Sequence, residues 1–306
     1  MPDYISLSNV FIDDILFWDD RMFLNVLGGA GVHAMAGARV WSDRIGLLAS
    51  VGKDFQQEHL EILNELNFDL SMLKVLQDKT TRAWQIFQPD ERRVEIFRDE
   101  KIKVSQLNLT LFDLPEEYKL IKGCHFYFSG SYEESLENIR LLRKLNPSMK
   151  IIMEPSIYQV LWAKEKYIKI LPEVDLFSPN LLEGEKITGE KDPHRIIDAL
   201  LSWGARRVSL RMGEKGSILG SETGSYQKIP AIKKTIIDVT GAGNAYLGGL
   251  MVGLCEGKSF IESALMGAVS ASFTMEQFGV CRFNADMWTE RDKRLEEGRM
   301  NLELQD

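Results

Sequence analysis

The chain has 306 residues, of which 44% are hydrophobic and 27% are charged. This balance supplies a sizeable core and excludes a disordered, fibrous or collagen-like protein. Its 37 basic and 45 acidic residues give a net charge of −8, so there is no general electrostatic attraction to nucleic acid or to an anionic membrane.

The predicted elements of the first half begin with β-rich segments. Ile5–Ile12 has the composition of a strand that ends at Asp13-Asp14, and the apolar runs beside Asp19-Asp20-Arg21 predict a short hairpin. The segments that follow are, in chain order, a glycine-rich turn (28–31), an alanine-rich helix (32–40), an apolar strand (45–50) and a helix (56–66).

A second hairpin with one polar face is predicted further along the chain. Thr81–Phe87 and Val94–Phe97 alternate apolar and polar side chains around the turn-like Pro89-Asp90-Glu91. Together, the two hairpins predict a small β lid with elements at about 14–27 and 78–103.

The remainder of the chain alternates strands with helices. The predicted strands are 124–128, 151–153, 174–177 and 208–210, and the predicted helices are 136–145, 158–170, 183–187 and 194–203. This alternation is typical of a mostly parallel sheet with helices on both faces. We therefore expect a single α/β domain over residues 1–306, with a charged and solvated helix from Trp288.

The cysteines and the chain start bear on the compartment. Cys124, Cys255 and Cys281 lie far apart without metal-ligand spacing, so we expect reduced core thiols. The first residues lack the basic and apolar regions of a signal peptide, and no run approaches the roughly 18 to 20 apolar residues that span a bilayer. These features predict a cytoplasmic protein that acts away from membranes.

The first candidate motif, Gly28–Ala34, lies where a strand gives way to a helix. Its Gly29-x-Gly31-x-x-Ala34 spacing matches a relaxed dinucleotide fingerprint, in which glycines let the backbone approach a pyrophosphate. The strand that follows ends at Ser50-Val51-Gly52 and lacks the acidic residue that would hold a ribose. A tight turn and a glycine-backed site for another polar ligand remain open alternatives.

The second candidate motif, Asp238–Asn244, precedes a helical stretch of small residues. Backbone N–H groups are unobstructed at such a helix start, where the unpaired donors and the helix dipole favour an anion. The charge that develops on a transferred phosphoryl group is an anion of this kind. A glycine turn capped by Thr240 or Asn244 is the alternative.

The third candidate motif places Asn180 and Glu183 just after a predicted strand, at the end where α/β sheets bind ligands. An amide and a carboxylate three residues apart suit water-mediated Mg²⁺ binding. They suit mutual capping of a helix start equally well.

In this order the three motifs resemble the PfkB, or ribokinase-like, family of sugar and nucleoside kinases, and the resemblance covers nearly the whole chain. It includes Ser8–Asp13, similar to the family's opening strand, and Val208–Gly216, similar to the strand and turn beside the nucleotide. The resemblance implies a ribokinase-like three-layer α/β/α fold with a mostly parallel central sheet and a small β lid. The chain looks like a divergent branch that includes the fungal maintenance-of-killer protein.

The resemblance implies roles for particular residues. Those matching the substrate site are Asp13, Gly28, Gly29, Gly31 and His33. Those matching the nucleotide site are Asn180, Arg211, Gly213, Thr240 and Gly279. The anion hole and base position correspond to Gly241, Ala242, Gly243 and Asn244, and Glu183 matches the residue that holds magnesium through water.

Several positions depart from the family pattern. Asn244 stands where the family has its catalytic Asp, and an amide cannot accept a proton as a carboxylate can. His33 replaces an Asn of the substrate loop, and Glu154-Pro155-Ser156 replaces Asp-Pro-Asn. Arg211 stands where the family usually has a small residue with a hydroxyl group. Its guanidinium could bind a phosphate there, or it could fill the pocket.

The resemblance implies a kinase that uses ATP and Mg to phosphorylate a hydroxyl of a small carbohydrate-like molecule. Asp13, another carboxylate or the substrate itself would then accept the proton. The alternative is a nucleotide- or sugar-binding pseudokinase that acts through a partner, and a dinucleotide-dependent oxidoreductase is a third hypothesis. Because family members often pair through the lid, a homodimer through this element is also expected.

Overall fold

The structure, a computed structural model, describes residues 1–89, 93–98, 107–109, 112–222 and 224–303. Within these residues the strands are β1 (Tyr4–Leu7), β2 (Phe11–Phe17), β3 (Met22–Gly28), β4 (Ile45–Gly52), β5 (Phe68–Gln77), β6 (Arg82–Phe87), β7 (Arg93–Phe97), β8 (Gly123–Phe126), β9 (Lys150–Met153), β10 (Leu176–Phe177), β11 (Arg207–Arg211), β12 (Ser217–Ser221) and β13 (Tyr226–Ile229). The α-helices are α1 (Ala30–Arg39), α2 (Gln57–Glu65), α3 (Tyr132–Leu145), α4 (Lys164–Ile170), α5 (Leu181–Thr188), α6 (Pro193–Ser202), α7 (Ala242–Cys255), α8 (Phe260–Met275) and α9 (Trp288–Glu303).

The larger sheet runs β13-β12-β11-β10-β9-β8-β1-β4-β5. The pairs from β11 to β5 are parallel, whereas β12 and β13 add an antiparallel edge. Because parallel strands direct their carboxyl ends to one edge, the loops after β1, β9, β10 and β11 gather there.

Helices cover both faces of this sheet. One buried cluster contains side chains of α1, α7 and α8, and a second contains side chains of α3, α4, α5 and α6. Alternate residues of β4 divide between the two clusters, with Leu47 in the first and Leu48 in the second. The predicted three-layer α/β/α fold is therefore confirmed.

The smaller sheet runs β3-β2-β6-β7 and combines the two predicted hairpins. β2 pairs with β3, and β6 pairs with β7, in antiparallel fashion, while β2 and β6 pair in parallel. Residues 90–92 and 99–103 of the predicted lid segments lie outside the described residues. Asp13, which the resemblance assigns to substrate binding, lies in the lid strand β2.

Two glycines let α1 and α7 pack with their backbones almost in contact. A Cβ atom on Gly37 would lie 2.2 Å from the Ala245 carbonyl oxygen, and one on Gly248 would lie 1.8 Å from that of Ala34. Only hydrogen atoms fit at these points. The close crossing brings the start of α1, which carries the first glycine motif, beside the start of α7, which carries the second.

Three sequence-based expectations for the fold are wrong. Ile5–Ile12 is two strands in different sheets, because the chain turns at Asn9, whose Oδ1 accepts a hydrogen bond from the Ala30 N–H (3.0 Å). The helix predicted over 158–170 begins only at Lys164. The tail helix α9 is not solvated throughout, since Arg294 is buried, ion-paired with Glu276 and stacked on Phe273.

Four further elements, β5, β12, β13 and α8, were not predicted from the sequence. Among the described helices, none is long and apolar enough to cross a membrane.

Candidate active site

A cavity of about 790 Å³ opens where the carboxyl edge of the large sheet meets the lid. Its walls come from the loop after β1, from β2 and the lid strands, from the start of α1, and from the segments after β9, β10 and β11. The start of α7 also lines this cavity. The cavity therefore has a lid-facing side and a side that faces the antiparallel edge.

The lid-facing side carries a cluster of polar groups around Asp13. Gln85 Nε2 donates to Asp13 Oδ1 (3.0 Å) and to Glu95 Oε1 (2.8 Å), so one amide from β6 joins a carboxylate of β2 to one of β7. Asp13 and Gln85 are buried, and all three residues line the cavity. Two carboxylates and an amide suit a ligand with several hydroxyl groups.

Backbone geometry fixes the glycine motif beside this cluster. Gly29 has φ = 101°, and a Cβ there would lie 2.8 Å from the Asn9 carbonyl oxygen and from the Phe11 nitrogen. A Cβ on Gly28 would lie 2.1 Å from Asp13 Oδ2. Both glycines are therefore required by the close approach of the β2 segment, and Gly29 also by its left-handed backbone.

Gly241 joins the two sides of the cavity. It has φ = 77°, it caps the start of α7, and its Cα faces the imidazole of His33, since a Cβ would lie 2.1 Å from His33 Cγ. The N–H groups of Gly243 and Asn244 lie in the first turn of α7, where the helix provides them with no carbonyl partner. These donors and the helix dipole make the start of α7 suitable for an anion.

Asn244 is hydrogen-bonded to the carboxylate of Glu154. Its Nδ2 donates to Glu154 Oε2 at 2.7 Å, although the two residues are 90 positions apart in the chain. His125 Nε2 contacts the same oxygen at 3.1 Å, and His125 Nδ1 contacts the Ser6 hydroxyl at 2.9 Å. A chain of hydrogen bonds thus runs from the core of the large sheet to the first turn of α7.

Arg211 occupies the space between two carboxylates. Its Nη1 lies 2.7 Å from Glu154 Oε1, and its Nη2 lies 3.4 Å from Glu183 Oε2 and 3.0 Å from the Ser178 carbonyl oxygen. The guanidinium also packs against Gly243, where a Cβ would lie 2.4 Å from Nη1. Arg211 therefore lines the cavity and contacts Gly243 at the start of α7.

The two carboxylates have opposite pKa shifts. Burial acts to raise the pKa of Glu154, but Arg211 and the hydrogen bonds from His125 and Asn244 outweigh it and lower the pKa to about 2. Burial raises the pKa of Glu183 to about 7, against the lowering effect of Arg211. Glu154 is therefore the carboxylate that is firmly ionised at neutral pH.

Asn180 and Glu183 cap α5 reciprocally. The Asn180 N–H donates to Glu183 Oε2 (2.7 Å), and the Glu183 N–H donates to Asn180 Oδ1 (2.9 Å). This is the capping alternative left open by the sequence. Both residues also line the cavity, so capping orients the pair at its wall.

Most of the residues proposed from sequence lie around this one cavity. Those that line it are Asp13, Gly29, His33, Asn180, Glu183, Arg211, Gly213, Thr240, Gly241, Ala242, Gly243 and Asn244. Gly28 lies behind Asp13, and Gly31 packs on Ser8. Gly279 lies elsewhere, in a separate depression of about 400 Å³ beside Val26, so the structure does not group it with the others.

Three residues that the structure brings to the site were not singled out from the sequence, namely His125, Gln85 and Glu95, and Glu154 was noted there only as a departure from the family pattern. Gln85 and Glu95 stand on the polar face of the predicted lid hairpin, which is a usable signal. Glu154 follows a buried strand at the ligand-binding edge, which is another. Nothing local in the sequence distinguishes His125, because its role depends on Glu154 across the sheet.

The chain resembles known proteins over most of its length. The family described as pfkB family carbohydrate kinase matches residues 20–286. The chain is 29% identical over 289 residues to the cytidine kinase of Thermococcus kodakarensis, covering 91% of this chain and 98% of that protein. It is 25% identical over 299 residues to protein MAK32 of Saccharomyces cerevisiae, covering 86% and 81%.

A solved structure, that of Arabidopsis thaliana ribokinase complexed with ribose and ATP, matches this fold with a TM-score of 0.75 at 18% identity, covering 96% of this chain and 99% of that one. The resemblance inferred from the motifs and the ribokinase-like fold are both confirmed.

Proposed function

The chain belongs to the pfkB family of carbohydrate kinases, and we propose that it transfers the γ-phosphoryl group of ATP to a hydroxyl of a free sugar or a nucleoside. The observation that carries this proposal is the contact between His33 and Gly241. Through this contact, the polar cluster around Asp13 and the anion-binding start of α7 share one cavity. An acceptor hydroxyl and a phosphoryl group could therefore meet in it.

In this proposal the lid-facing side binds the acceptor. Asp13 accepts hydrogen bonds from acceptor hydroxyls, with Gly29 and His33 beside it. Asn9 supports the same role, because the residue lines the cavity and its buried Nδ2 has no hydrogen-bond partner among the described residues. An acceptor oxygen would satisfy that donor. The relatives named for cytidine and for ribose support the choice of substrate class.

The opposite side binds the nucleotide. Asn180, Arg211, Gly213 and Thr240 border it, and the backbone of Gly241–Gly243 stabilises the charge that develops on the transferred phosphoryl group. Asn244 occupies the position of the family's base. Its amide cannot take a proton, so in this proposal it acts as a hydrogen-bond donor.

A hydrated Mg²⁺ fits the wall near Glu183. The bonds to this carboxylate that the structure describes all fall on Oε2, so Oε1 is the oxygen available to a metal-bound water. A buried carboxylate with a raised pKa gains from a nearby cation, and Mg²⁺ commonly uses one or two carboxylates together with substrate phosphates. Glu183 would hold the ion through water, and the ion would neutralise phosphate charge.

The lid supports the further proposal of a homodimer. Met22, Trp84, Val94 and Ile96 are between 39% and 63% exposed. The cross-strand register places them on the outer face of the lid sheet, the opposite face from Asp13 and Gln85. A second copy of this face would cover the apolar side chains.

The test combines calorimetric titration of ATP·Mg²⁺ with a phosphate-transfer screen over sugars and nucleosides. We expect binding, and transfer to at least one acceptor. Asp13→Asn is the matched variant, since it keeps the shape of the side chain but removes its charge. It is expected to lower transfer at least tenfold and to leave ATP binding unchanged, because Asp13 lies on the acceptor side.

Two outcomes would contradict the proposal. ATP binding without transfer to any acceptor would favour the pseudokinase alternative, for which the amide of Asn244 in the position of the family's base is the specific argument. Absence of ATP binding would mean that the motifs maintain the fold alone.

A further inference from the structure

Glu154 supplies a carboxylate that is hydrogen-bonded to the first turn of α7. It follows β9, lines the cavity, and shares a 2.7 Å hydrogen bond with the Asn244 amide at the first turn of α7. The pair Glu154–Asn244 therefore contains one carboxylate and one amide, with the carboxylate on the strand side and the amide on the helix side.

Resting on the proposed function, we propose that Glu154 accepts the proton of the acceptor hydroxyl. The hydroxyl oxygen forms a bond to the γ-phosphorus, and the bond from this phosphorus to the β,γ-bridging oxygen breaks. ADP leaves with that electron pair, and the hydroxyl proton moves to the remaining lone pair of Glu154 Oε1, because Oε2 already accepts from His125 and Asn244. Glu154 returns the proton to water after the products leave, so the balance is ATP plus alcohol to ADP, phosphate ester and one proton.

The surroundings of Glu154 hold its carboxylate ionised and in one orientation. Arg211 fixes Oε1 at 2.7 Å, while His125 and Asn244 fix Oε2. Because Glu154 is ionised, its Oε2 accepts the hydrogen bond from His125 Nε2, and His125 Nδ1 lies 2.9 Å from the Ser6 hydroxyl. His125 is fully buried, so we treat it as a positioning residue behind the carboxylate.

A weakly basic carboxylate is sufficient for this step. Phosphoryl transfer has a loose transition state, in which positioning and electrostatic stabilisation supply most of the catalysis. Proton acceptance by an oriented group adds a factor of about 10² to 10⁴. Asp13, the other carboxylate considered from the sequence, is bonded to Gln85 on the lid-facing side of the cavity.

The arrangement can be tested by exchanging the two side chains. Four proteins are compared: the wild type, Glu154→Gln, Asn244→Asp, and the double variant with both changes. Each is assayed for single-turnover phosphate transfer at saturating ATP, with ATP affinity by calorimetry and urea unfolding as controls. The double variant retains one carboxylate and one amide, with their positions exchanged.

We expect Glu154→Gln to lower the transfer rate about 100-fold or more while ATP affinity changes less than threefold. Asn244→Asp alone should give no gain, because it places two carboxylates 2.7 Å apart and one of them must bind a proton. The double variant should transfer at least tenfold faster than Glu154→Gln. If Glu154→Gln does not fold, the transfer rates of Asn244→Asp and the wild type still test the inference, because a gain of tenfold or more in Asn244→Asp would overturn it.

Three results would overturn the inference while the proposed function stands: a folded Glu154→Gln that transfers within fivefold of the wild type, a double variant no faster than Glu154→Gln, or an Asn244→Asp at least tenfold faster than the wild type. The last would show that the missing base belongs at position 244. A wild type that transfers phosphate to no acceptor would instead overturn the proposed function, and this inference with it.

Discussion

Replacing Arg211 tests whether the buried charges of the site are held together by this residue. The change Arg211→Met keeps much of the side-chain length and removes the charge. It leaves Glu154 with only the hydrogen bonds from His125 and Asn244, in a position where 5% of the residue is exposed. A buried ion that loses its partner is strongly destabilising, typically by about 3 to 5 kcal/mol.

The magnitude can be worked from Glu154 itself. Its pKa lies at about 2, against an ordinary value of 4.5. At about 1.4 kcal/mol for each tenfold change in proton affinity, the combined surroundings favour the ionised carboxylate by about 3 kcal/mol, and Arg211 makes the largest favourable contribution to this balance. Glu183 adds less, because burial already raises its pKa to about 7 and it can take up a proton when Arg211 is removed. We therefore expect Arg211→Met to lower the free energy of unfolding by about 3 kcal/mol at pH 7.

The assay is urea unfolding of the wild type, Arg211→Met, Glu154→Gln and the double variant, at pH 7 and pH 5. The depressed pKa stabilises the wild type fully above pH 4.5, and this stabilisation is lost only as the pH falls towards 2. In Arg211→Met the uncompensated burial raises the pKa of Glu154, so protonation relieves part of the deficit at pH 5. The double variant should be more stable than Arg211→Met.

Two outcomes would refute this reasoning. One is an Arg211→Met protein within 1 kcal/mol of the wild type at pH 7. The other is a double variant no more stable than Arg211→Met, which would mean that the lost stability comes from packing and not from the unpaired Glu154 carboxylate.

The remaining predictions concern the start of α7 and the lid. Gly241→Ala should lower phosphate transfer at least tenfold, because the new Cβ atom would overlap the His33 ring. The control is Gly189→Ala, which should retain transfer, because Gly189 has nearly the same φ (78°) but a Cβ there would have no atom within 4 Å. An equal loss of transfer in both variants would refute the steric argument. Trp84→Ser with Ile96→Ser should convert a dimer to monomers in sedimentation experiments, and a wild-type monomer would remove the proposed lid interface.

The parts of the site that the sequence predicted are those encoded by local patterns. The glycines at 29 and 241 mark left-handed turns, and the Asn180–Glu183 spacing marks a helix start, so each can be recognised without knowing the fold. The family resemblance then placed these motifs around one pocket.

The strand boundaries were harder to predict. Ile5–Ile12 has a uniformly β-like composition, yet the chain leaves one sheet and enters the other within it. The change of sheet depends on the hydrogen bond from Ala30 to Asn9, which joins residues 21 positions apart. Gly279, which the resemblance assigns to the nucleotide, lies beside Val26 and outside the main cavity, so its assignment stays a prediction.

The departures from the family pattern make physical sense only when they are taken together. A carboxylate at position 244 would stand 2.7 Å from Glu154 Oε2, so an ionised Glu154 requires a donor such as the Asn244 amide there. A buried and ionised Glu154 also requires a cation, which Arg211 supplies at 2.7 Å. Taken singly, the amide at 244 indicates a lost base and the arginine an obstructed pocket. Taken together, they are the two partners that a buried and ionised Glu154 requires.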